Sequence, residues 1–173
     1  PAPVKSIGNS TTTPRDLETD LDVWIILMAL SESVSARLRK HGFKCNVVEI
    51  SIRDNGLNSI TRQMHISQPR NITDEIVKAA FELFKKHYRW EHPIRSLGVR
   101  GSDLVMEDIP VQLDLFDNQE KRDKLERLDR AVDEIRRRFG YFSIQRAAMY
   151  QDKVLSHLDA GTHTVHPHSY FHG

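Results

Sequence analysis

The feature that most restricts the fold is a stretch of alternating residues that runs into a turn. In residues 45–53 the apolar members of the alternation are Val48, Ile50 and Ile52. Alternation with a period of two predicts a strand that buries one face. The following Asp-Asn-Gly at 54–56 is typical of a turn, and residues 59–66 predict a further strand. The sequence therefore predicts an antiparallel hairpin.

Two stretches with helical spacing flank this hairpin. The first spans residues 20–40, with acidic residues in its first turn, basic residues in its last turn and Gly42 as the stop. Its apolar stripe contains Trp24, Leu27, Met28, Val34 and Leu38. The second runs from Thr73, which with Asp74 and Glu75 is predicted to cap it, to about Tyr88. Its stripe contains Val77, Ala80, Phe81, Phe84 and Tyr88.

Two more strands complete the pattern. Residues 5–13 are rich in β-branched residues and are expected to end at Pro14. Small polar residues at Ser6, Gly8, Ser10 and Thr12 give this strand one flat face. Residues 94–104 form the last strand, with Leu97 and Val99 facing inward. The β-α-β-β-α-β order predicts an α+β, ferredoxin-like fold, in which two helices cover one face of a four-stranded sheet. The other face is left to solvent or a ligand.

A C-terminal helical extension follows. Residues 118–139 predict a charged helix that ends at Gly140, and its apolar seam is expected to dock on the module or on another chain. The seam residues are Leu125, Leu128, Val132, Ile135 and Phe139. A short helix is expected within residues 144–158, and a poorly ordered tail after it. We divide the chain into a module at 1–106, a linker at 107–118, the extension at 119–158 and a tail at 159–173.

Composition limits the functional classes. No apolar run approaches a membrane span and no signal peptide opens the chain. A single cysteine, Cys45, rules out an internal disulfide and fits a reducing cytoplasm. The net charge is only +1, so nucleic-acid binding would require basic residues gathered on one face. Since the chain begins with Pro1, we expect a piece of a longer protein.

An apolar peptide lies at the junction between module and extension. Residues 112–116 read Gln-Leu-Asp-Leu-Phe and are followed by a further acid. The peptide can fill a groove on a partner, with Leu115 and Phe116 as anchors and Gln112 as a hydrogen-bonding group. Alternatively, its leucines and phenylalanine close the core of the module.

Four segments carry a resemblance to a known family. They are residues 5–13 (Lys-Ser-Ile-Gly-Asn-Ser-Thr-Thr-Thr), 38–42 (Leu-Arg-Lys-His-Gly), 94–100 (Ile-Arg-Ser-Leu-Gly-Val-Arg) and 112–116. With these motifs the chain resembles the C-terminal little-finger domain of bacterial Y-family translesion DNA polymerases, the DNA polymerase IV and UmuC-like proteins. The resemblance covers residues 4–117.

The resemblance implies that the sheet binds primer–template DNA through its phosphates, without reading the bases. Hydroxyl groups, backbone N–H groups and cations would make the contacts. The implied DNA-binding residues are Lys5, Ser6, Gly8, Asn9, Ser10, Thr12, Arg53, Arg62, Arg95 and Arg100. Strict alternation puts Arg62 on the same side as Ile60 and Met64, so we expect a bulge or an early strand start there. The implied residues for binding the bacterial sliding clamp are Gln112, Leu113, Leu115 and Phe116.

The resemblance also implies where the chemistry lies. The full-length protein would be an error-prone DNA-directed DNA polymerase, a nucleotidyltransferase acting in translesion synthesis, DNA repair and the SOS response to DNA damage. Its Mg²⁺-binding carboxylates would lie in the palm, which together with the thumb is outside this chain. The chain itself is expected to be non-catalytic and to need no cofactor. Asp103, Glu107 and Asp108 fit a solvated acidic loop beside the last strand.

Two alternatives come from other functional classes. One is a ferredoxin-like regulatory or protein-interaction module with a helical dimerisation arm, which an apolar open sheet face would favour. The other is a metal hydrolase that uses His163, His166 and His168 as zinc ligands. That stretch has no nearby carboxylate cluster or cysteine, and we expect no metal there.

Overall fold

The computed structural model describes residues 3–110 and 118–158. The module consists of β1 (Ser6–Leu17), α1 (Asp20–Lys40), β2 (Phe43–Asp54), β3 (Ser59–Arg70), α2 (Thr73–His87) and β4 (Ile94–Met106). The strands form one antiparallel sheet in the order β1-β4-β2-β3. This confirms the predicted α+β fold with β-α-β-β-α-β element order, and the strand order places β4 and β2 in the centre of the sheet.

The core lies between the sheet and the two helices. The alternating side chains of β2 enter it, and Ile50 pairs across the ladder with Val99 of β4, so both point to the helices. From the other side α1 contributes Leu27 and Leu30, which are completely buried. Burial of one such side chain stabilises the fold by roughly 1.5–3 kcal/mol. The hydrophobic alternation of the sequence therefore determines which face of the sheet is covered.

Two strands run further than the sequence predicts. β1 continues through Pro14 to Leu17, because the ladder with β4 shifts register between Thr12 and Leu17. Proline is tolerated there since β1 is an edge strand and the register shift removes the need for its N–H. The hydroxyl of Thr13 supports the shift by donating to the carbonyl oxygens of Arg15, at 2.6 Å, and Arg95, at 3.1 Å. β3 likewise extends to Arg70.

The two helices of the module begin differently. Thr19 caps α1 in a reciprocal capping box with Asp22. The predicted cap of α2 by Thr73 is wrong, since Ile72 occupies the cap position and provides no side-chain hydrogen bond. The N–H of Thr73 instead donates to Oδ2 of Asp129, at 2.8 Å, so the extension supplies the missing acceptor. At the other end of α1, Gly42 takes the left-handed conformation (φ 70°) and stops the helix as predicted.

The extension contains the predicted long helix, α3 (Gln119–Phe139), capped by Asn118. The short helix expected within residues 144–158 is divided into a 3₁₀ turn at Ala147–Gln151 and a four-residue helix, α4 (Lys153–Ser156). Met149 and Leu155 are buried in the core of the module. The extension therefore shares that core. None of the helices in the described ranges is both long enough and apolar enough to cross a bilayer.

The apolar seam of α3 is not what attaches that helix. Leu128 is 50% exposed and Phe139 73% exposed, and the other seam residues are only half-buried. Asp129 is the buried residue among the described residues of α3. The helix contacts the module through a buried ionic contact, and the predicted docking of its apolar seam is not seen on the module.

Candidate nucleic-acid interface

The face of the sheet that the helices leave open is lined by small and polar side chains. The ladder registers place directly paired residues on the same face, which defines rows that cross the sheet in the order β1-β4-β2-β3. Three of these rows are Thr12–Ser96–Arg53–Ser59, Ser10–Gly98–Ser51–Thr61 and Gly8–Arg100–Glu49–Gln63. We call these twelve residues the outer face. A further row, Ser6–Ser102–Val47–His65, adds an aliphatic side chain at one end.

The middle row makes the outer face flat. Gly98 sits between two serines, and a Cβ atom built on it would overlap the Ser51 hydroxyl and lie 3.2 Å from Cβ of Ser10. Since any side chain at this position would collide with its neighbours, glycine lets the hydroxyl groups of two strands converge. A surface of hydroxyl and backbone groups without protruding side chains allows a phosphodiester backbone to approach closely.

Cations border this flat strip. Arg53 is exposed at one end of it. Nε of Arg100 donates to Oε1 of Glu49 on the neighbouring strand, at 2.9 Å, which holds the guanidinium over the face. Lys5 is exposed just before β1. Arg95 lies where the ladder shifts register at the start of β4, and its Nη1 is 3.4 Å from Oδ1 of Asp16. The outer face thus combines positive groups with a single acid, Glu49.

Two predicted DNA-binding residues lie on the helix side of the sheet. Asn9 is buried on the helix side, where its Nδ2 donates to Oγ of Ser33 in α1, at 3.1 Å. Arg62 pairs with Ile50, so it belongs to the helix side of the sheet, where it is exposed and donates to the carbonyl of Thr61. The bulge supposed near Arg62 is wrong, since the irregularity between β2 and β3 lies between Cys45 and Val47.

Other predicted sites lie apart from this face or outside the described residues. Gln112, Leu113, Leu115 and Phe116 fall outside the described residues, as do His163, His166 and His168. The acidic residues after β4 fit a surface loop, in which Asp108 is exposed and Glu107 pairs with Arg130. Within residues 3–110 and 118–158, no three His, Cys, Asp or Glu side chains are grouped so that they could hold a metal ion.

Sequence analysis missed the ionic cluster that attaches α3. Arg39, at the end of α1, is almost fully buried and forms a forked pair with Asp133, at 2.7 and 2.9 Å. Its Nη1 donates to Oδ2 of Asp129, at 3.0 Å, and to the carbonyl of Asn71, at 2.7 Å. Because Asp129 also accepts from the N–H of Thr73, one carboxylate joins α1, α2 and α3.

Two arginines continue this cluster. Arg146 donates to Oδ1 of Asp74, at 2.7 Å, and to Oε1 of Glu32, at 3.1 Å. Arg136 donates to the other oxygen of Glu32, at 2.6 Å, and to the carbonyl of Ile144. Buried charges are stable only when each has partners, and here the buried carboxylates Asp129 and Glu32 each have at least two. In the sequence, no apolar pattern marks these residues.

The fold of the module is similar to that of a solved structure. An antiparallel sheet in the order β1-β4-β2-β3, with both helices on one side, is similar to a solved Y-family DNA polymerase chimera, with a TM-score of 0.52 and 15% identity. The match covers 61% of this chain and 30% of that chain. At this identity the likeness concerns the fold alone.

The family follows from the sequence itself. Residues 4–115 match the C-terminal domain of the impB/mucB/samB family. The chain belongs to this family, and residues 4–115 form its C-terminal domain. It is 47% identical to a DNA polymerase IV of Acetivibrio thermocellus over 156 residues, which is 90% of this chain and 39% of that protein. DNA polymerase IV 1 of Bacillus subtilis is 32% identical, over 83% of this chain and 34% of that protein. The chain thus spans about two fifths of the length of these relatives.

Proposed function

We propose that this chain is the part of a DNA polymerase that holds primer–template DNA by its backbone and tethers the enzyme to a sliding clamp. The observation that carries the DNA-binding part is the outer face. Its rows offer hydroxyl groups, backbone groups and the two arginines Arg53 and Arg100, with no aliphatic side chain among the twelve residues. A regulatory module that binds an apolar partner on its open sheet face would need apolar side chains there.

The outer face suits binding without sequence selectivity. Serine and threonine hydroxyls and arginine guanidinium groups bind phosphate oxygens, which are the same at every base pair. Reading bases would require long donors and acceptors that reach into a groove, and the flat row around Gly98 offers none. The proposed role is therefore to hold a duplex of any sequence, which a polymerase that copies damaged templates requires.

The DNA-binding part is tested by titrating the chain with a fluorescent blunt duplex at several salt concentrations. Arg53→Gln should weaken binding and lower the slope of log affinity against log salt by about 0.9, the contribution of one phosphate contact. Arg127→Gln is the matched control, because Arg127 is an exposed arginine on α3, away from the outer face. Equal effects of the two variants, or a slope unaffected by Arg53→Gln, would refute the proposal.

The clamp-binding part depends on the peptide at residues 112–116. Replacement of Gln112, Leu115 and Phe116 by alanine should cost on the order of 2–4 kcal/mol of affinity for a bacterial sliding clamp, as expected when buried anchors are truncated. The control is Leu128→Ala with Phe139→Ala, since both side chains are exposed and apolar but lie outside the peptide. Clamp binding that survives in the peptide variant would exclude this peptide as the tether.

The remaining parts of the proposal concern the full-length protein. In it, the palm would carry the Mg²⁺-binding carboxylates and perform nucleotidyl transfer, and the palm and thumb would be intramolecular partners of this domain. Translesion synthesis, DNA repair, the SOS response and a cytoplasmic location belong to the same proposal. Their support is the family membership and the relatedness to DNA polymerases IV.

A further inference from the structure

A groove lies on the opposite side of the edge strand β1 from the outer face. It runs between α3 and the C-terminal half of α1, and its volume is about 840 Å³. Its lining includes Arg37, Lys40, His41, Arg130, Arg137 and Tyr141. We call it the α1–α3 groove. Arg146 and Asp74, which pair with each other, do not line it.

Positive charge dominates the mouth of the α1–α3 groove. The acids Asp133 and Glu32 at its floor are already paired with Arg39 and Arg136. Arg37 donates to a neutral acceptor, the carbonyl of Gly8, at 2.9 Å, so no acid offsets its charge in that contact. Lys40 is exposed, and it makes no ion pair or side-chain hydrogen bond with the described part of the chain.

The opposite wall of the groove carries paired arginines. Arg137 pairs with Glu134 at 2.7 Å on a largely exposed surface, and Arg130 pairs with Glu107 and Glu126. Exposed pairs of this kind contribute little to stability, so a phosphate can replace the carboxylate as partner. Cations therefore face the groove from both helices. Of the three acids on its lining, Glu134 is the one outside the buried ionic cluster.

The groove is continuous with the proposed DNA-binding surface. Arg37 and His41 also line a second cavity, of about 520 Å³, whose other walls include Ser6, Gly8 and Arg100. These two residues therefore border both spaces and link them around the edge strand β1. A nucleic-acid strand that leaves the outer face at this edge meets the cations of α1 next.

An aromatic group completes the groove. The guanidinium carbon of Arg136 lies 4.5 Å from the ring centroid of Tyr141, and Phe142 packs edge-on against the same ring with centroids 5.0 Å apart. These contacts fix the orientation of Tyr141. Cations that follow a backbone, combined with fixed planar groups against which bases can stack, are typical of sites for single-stranded nucleic acid.

We propose that the α1–α3 groove binds a single DNA strand that extends from the duplex held on the outer face. The identity of the ligand as DNA rests on the proposed function. Phosphates contact Arg37, Lys40 and Arg137, and a base packs beside Tyr141. A concave groove between two helices takes one strand, whereas a duplex, which is a wide convex cylinder, fits the flat outer face.

The test compares a labelled oligothymidylate with a labelled blunt duplex, each titrated with the complete chain at several salt concentrations. The variant is Lys40→Gln with Arg137→Gln, since both side chains are exposed. We expect its affinity for the single strand to fall about tenfold at low salt, and the log–log salt slope to fall by about 0.7 for each cation removed. Its affinity for the blunt duplex should not change.

The matched control is Lys121→Gln with Lys124→Gln, which removes the same charge from exposed positions of α3 outside the groove. A single-strand affinity that is unchanged in the groove variant, or equally reduced in the control, overturns the proposal. Polyglutamate that displaces the single strand as readily as unlabelled oligothymidylate also overturns it, since the groove would then suit acidic peptides. If the wild-type chain binds no duplex but its single-strand binding responds as expected, the outer-face proposal fails and the groove stands.

Discussion

Helices α1 and α3 are both 21 residues long, yet the fold holds them in opposite ways. In α1 most residues are buried, and those in the middle of the helix, such as Leu27 and Leu30, have no exposed surface to speak of. In α3, Asp129 alone among the described residues is buried. The two helices meet at Arg39 of α1, whose guanidinium binds both Asp129 and Asp133.

Helix length and amphipathic pattern therefore do not determine how a helix is attached to the rest of the protein. α1 lies over the sheet and against α2, so its burial follows the hydrophobic effect, which is non-directional and proportional to area. α3 lies outside this layer and is attached by directional contacts. Their geometry must satisfy every buried charge, because an unpaired buried charge costs several kcal/mol.

The largest expected effect comes from removing the charge on which both helices depend. Arg39→Ala leaves Asp133 without its cation and the carbonyl of Asn71 without a donor, and it removes one of the two arginines bound to Asp129. We expect the free energy of unfolding to fall by about 3–5 kcal/mol, the usual cost of breaking a buried pair from one side. Urea unfolding followed by circular dichroism measures it. Arg127→Ala, at an exposed site on α3, serves as control. A loss of unfolding free energy below about 1 kcal/mol in Arg39→Ala would contradict the conclusion that the ionic cluster attaches α3.

A smaller loss is expected from truncation in the apolar helix. Leu27→Ala removes a completely buried side chain from the layer between α1 and the sheet. The variant loses transfer free energy and leaves a cavity, which together cost about 3 kcal/mol. Urea unfolding again gives the value. If Leu27→Ala proved nearly neutral, α1 would not be held by apolar packing and the contrast with α3 would disappear.

These two residues also show what sequence can and cannot predict. The burial of Leu27 was predictable, because it belongs to a stripe at helical spacing beside alternating strands. The burial of Asp129 was not, because aspartates on a charged helix are normally solvated and no periodicity distinguishes this one. Its position depends on where the end of α1 and the start of α2 come together. That is a property of the tertiary fold.

The candidate site divides in the same way. The outward position of Ser6, Gly8, Ser10 and Thr12 followed from alternation, and the register confirms it. Asn9 was assigned to the same face by its motif, although alternation places it on the other side. Local patterns therefore identified the open face, whereas the attachment of the extension depended on contacts between residues up to 137 positions apart. DNA and clamp binding stay predictions.

A third effect concerns the start of α1 and its link to the extension. Burial by itself would raise the pKa of Asp22, but hydrogen bonds from Arg15 and from the N–H groups of Glu18 and Thr19 hold that pKa below its ordinary value. Arg15 also lowers the pKa of Asp152, next to α4. Groups with a lowered folded-state pKa stabilise the fold above their unfolded pKa, near 3.8, and lose this contribution as the pH falls further.

Arg15→Gln should therefore lower the free energy of unfolding at pH 7 by about 1 kcal/mol or less, because Arg15 is 42% exposed and solvent screens the pair. The difference from the wild type should shrink as the pH falls below 3.8 and the two carboxylates become protonated. Thermal unfolding measured from neutral to acid pH tests this. A difference that stays constant, or grows in acid, would show that Arg15 acts by packing and not by charge.

The smallest effect is expected on the apolar seam of α3. Leu128→Ala and Phe139→Ala truncate side chains that are 50% and 73% exposed, so each should change the free energy of unfolding by less than about 0.5 kcal/mol. The loss of unfolding free energy from a leucine-to-alanine change should therefore be several-fold larger in α1 than in α3. A loss above 1 kcal/mol that grows with protein concentration would mean that a second copy covers the seam, as a helical dimerisation arm would require. If the loss of unfolding free energy does not depend on protein concentration, the ionic cluster is what attaches α3.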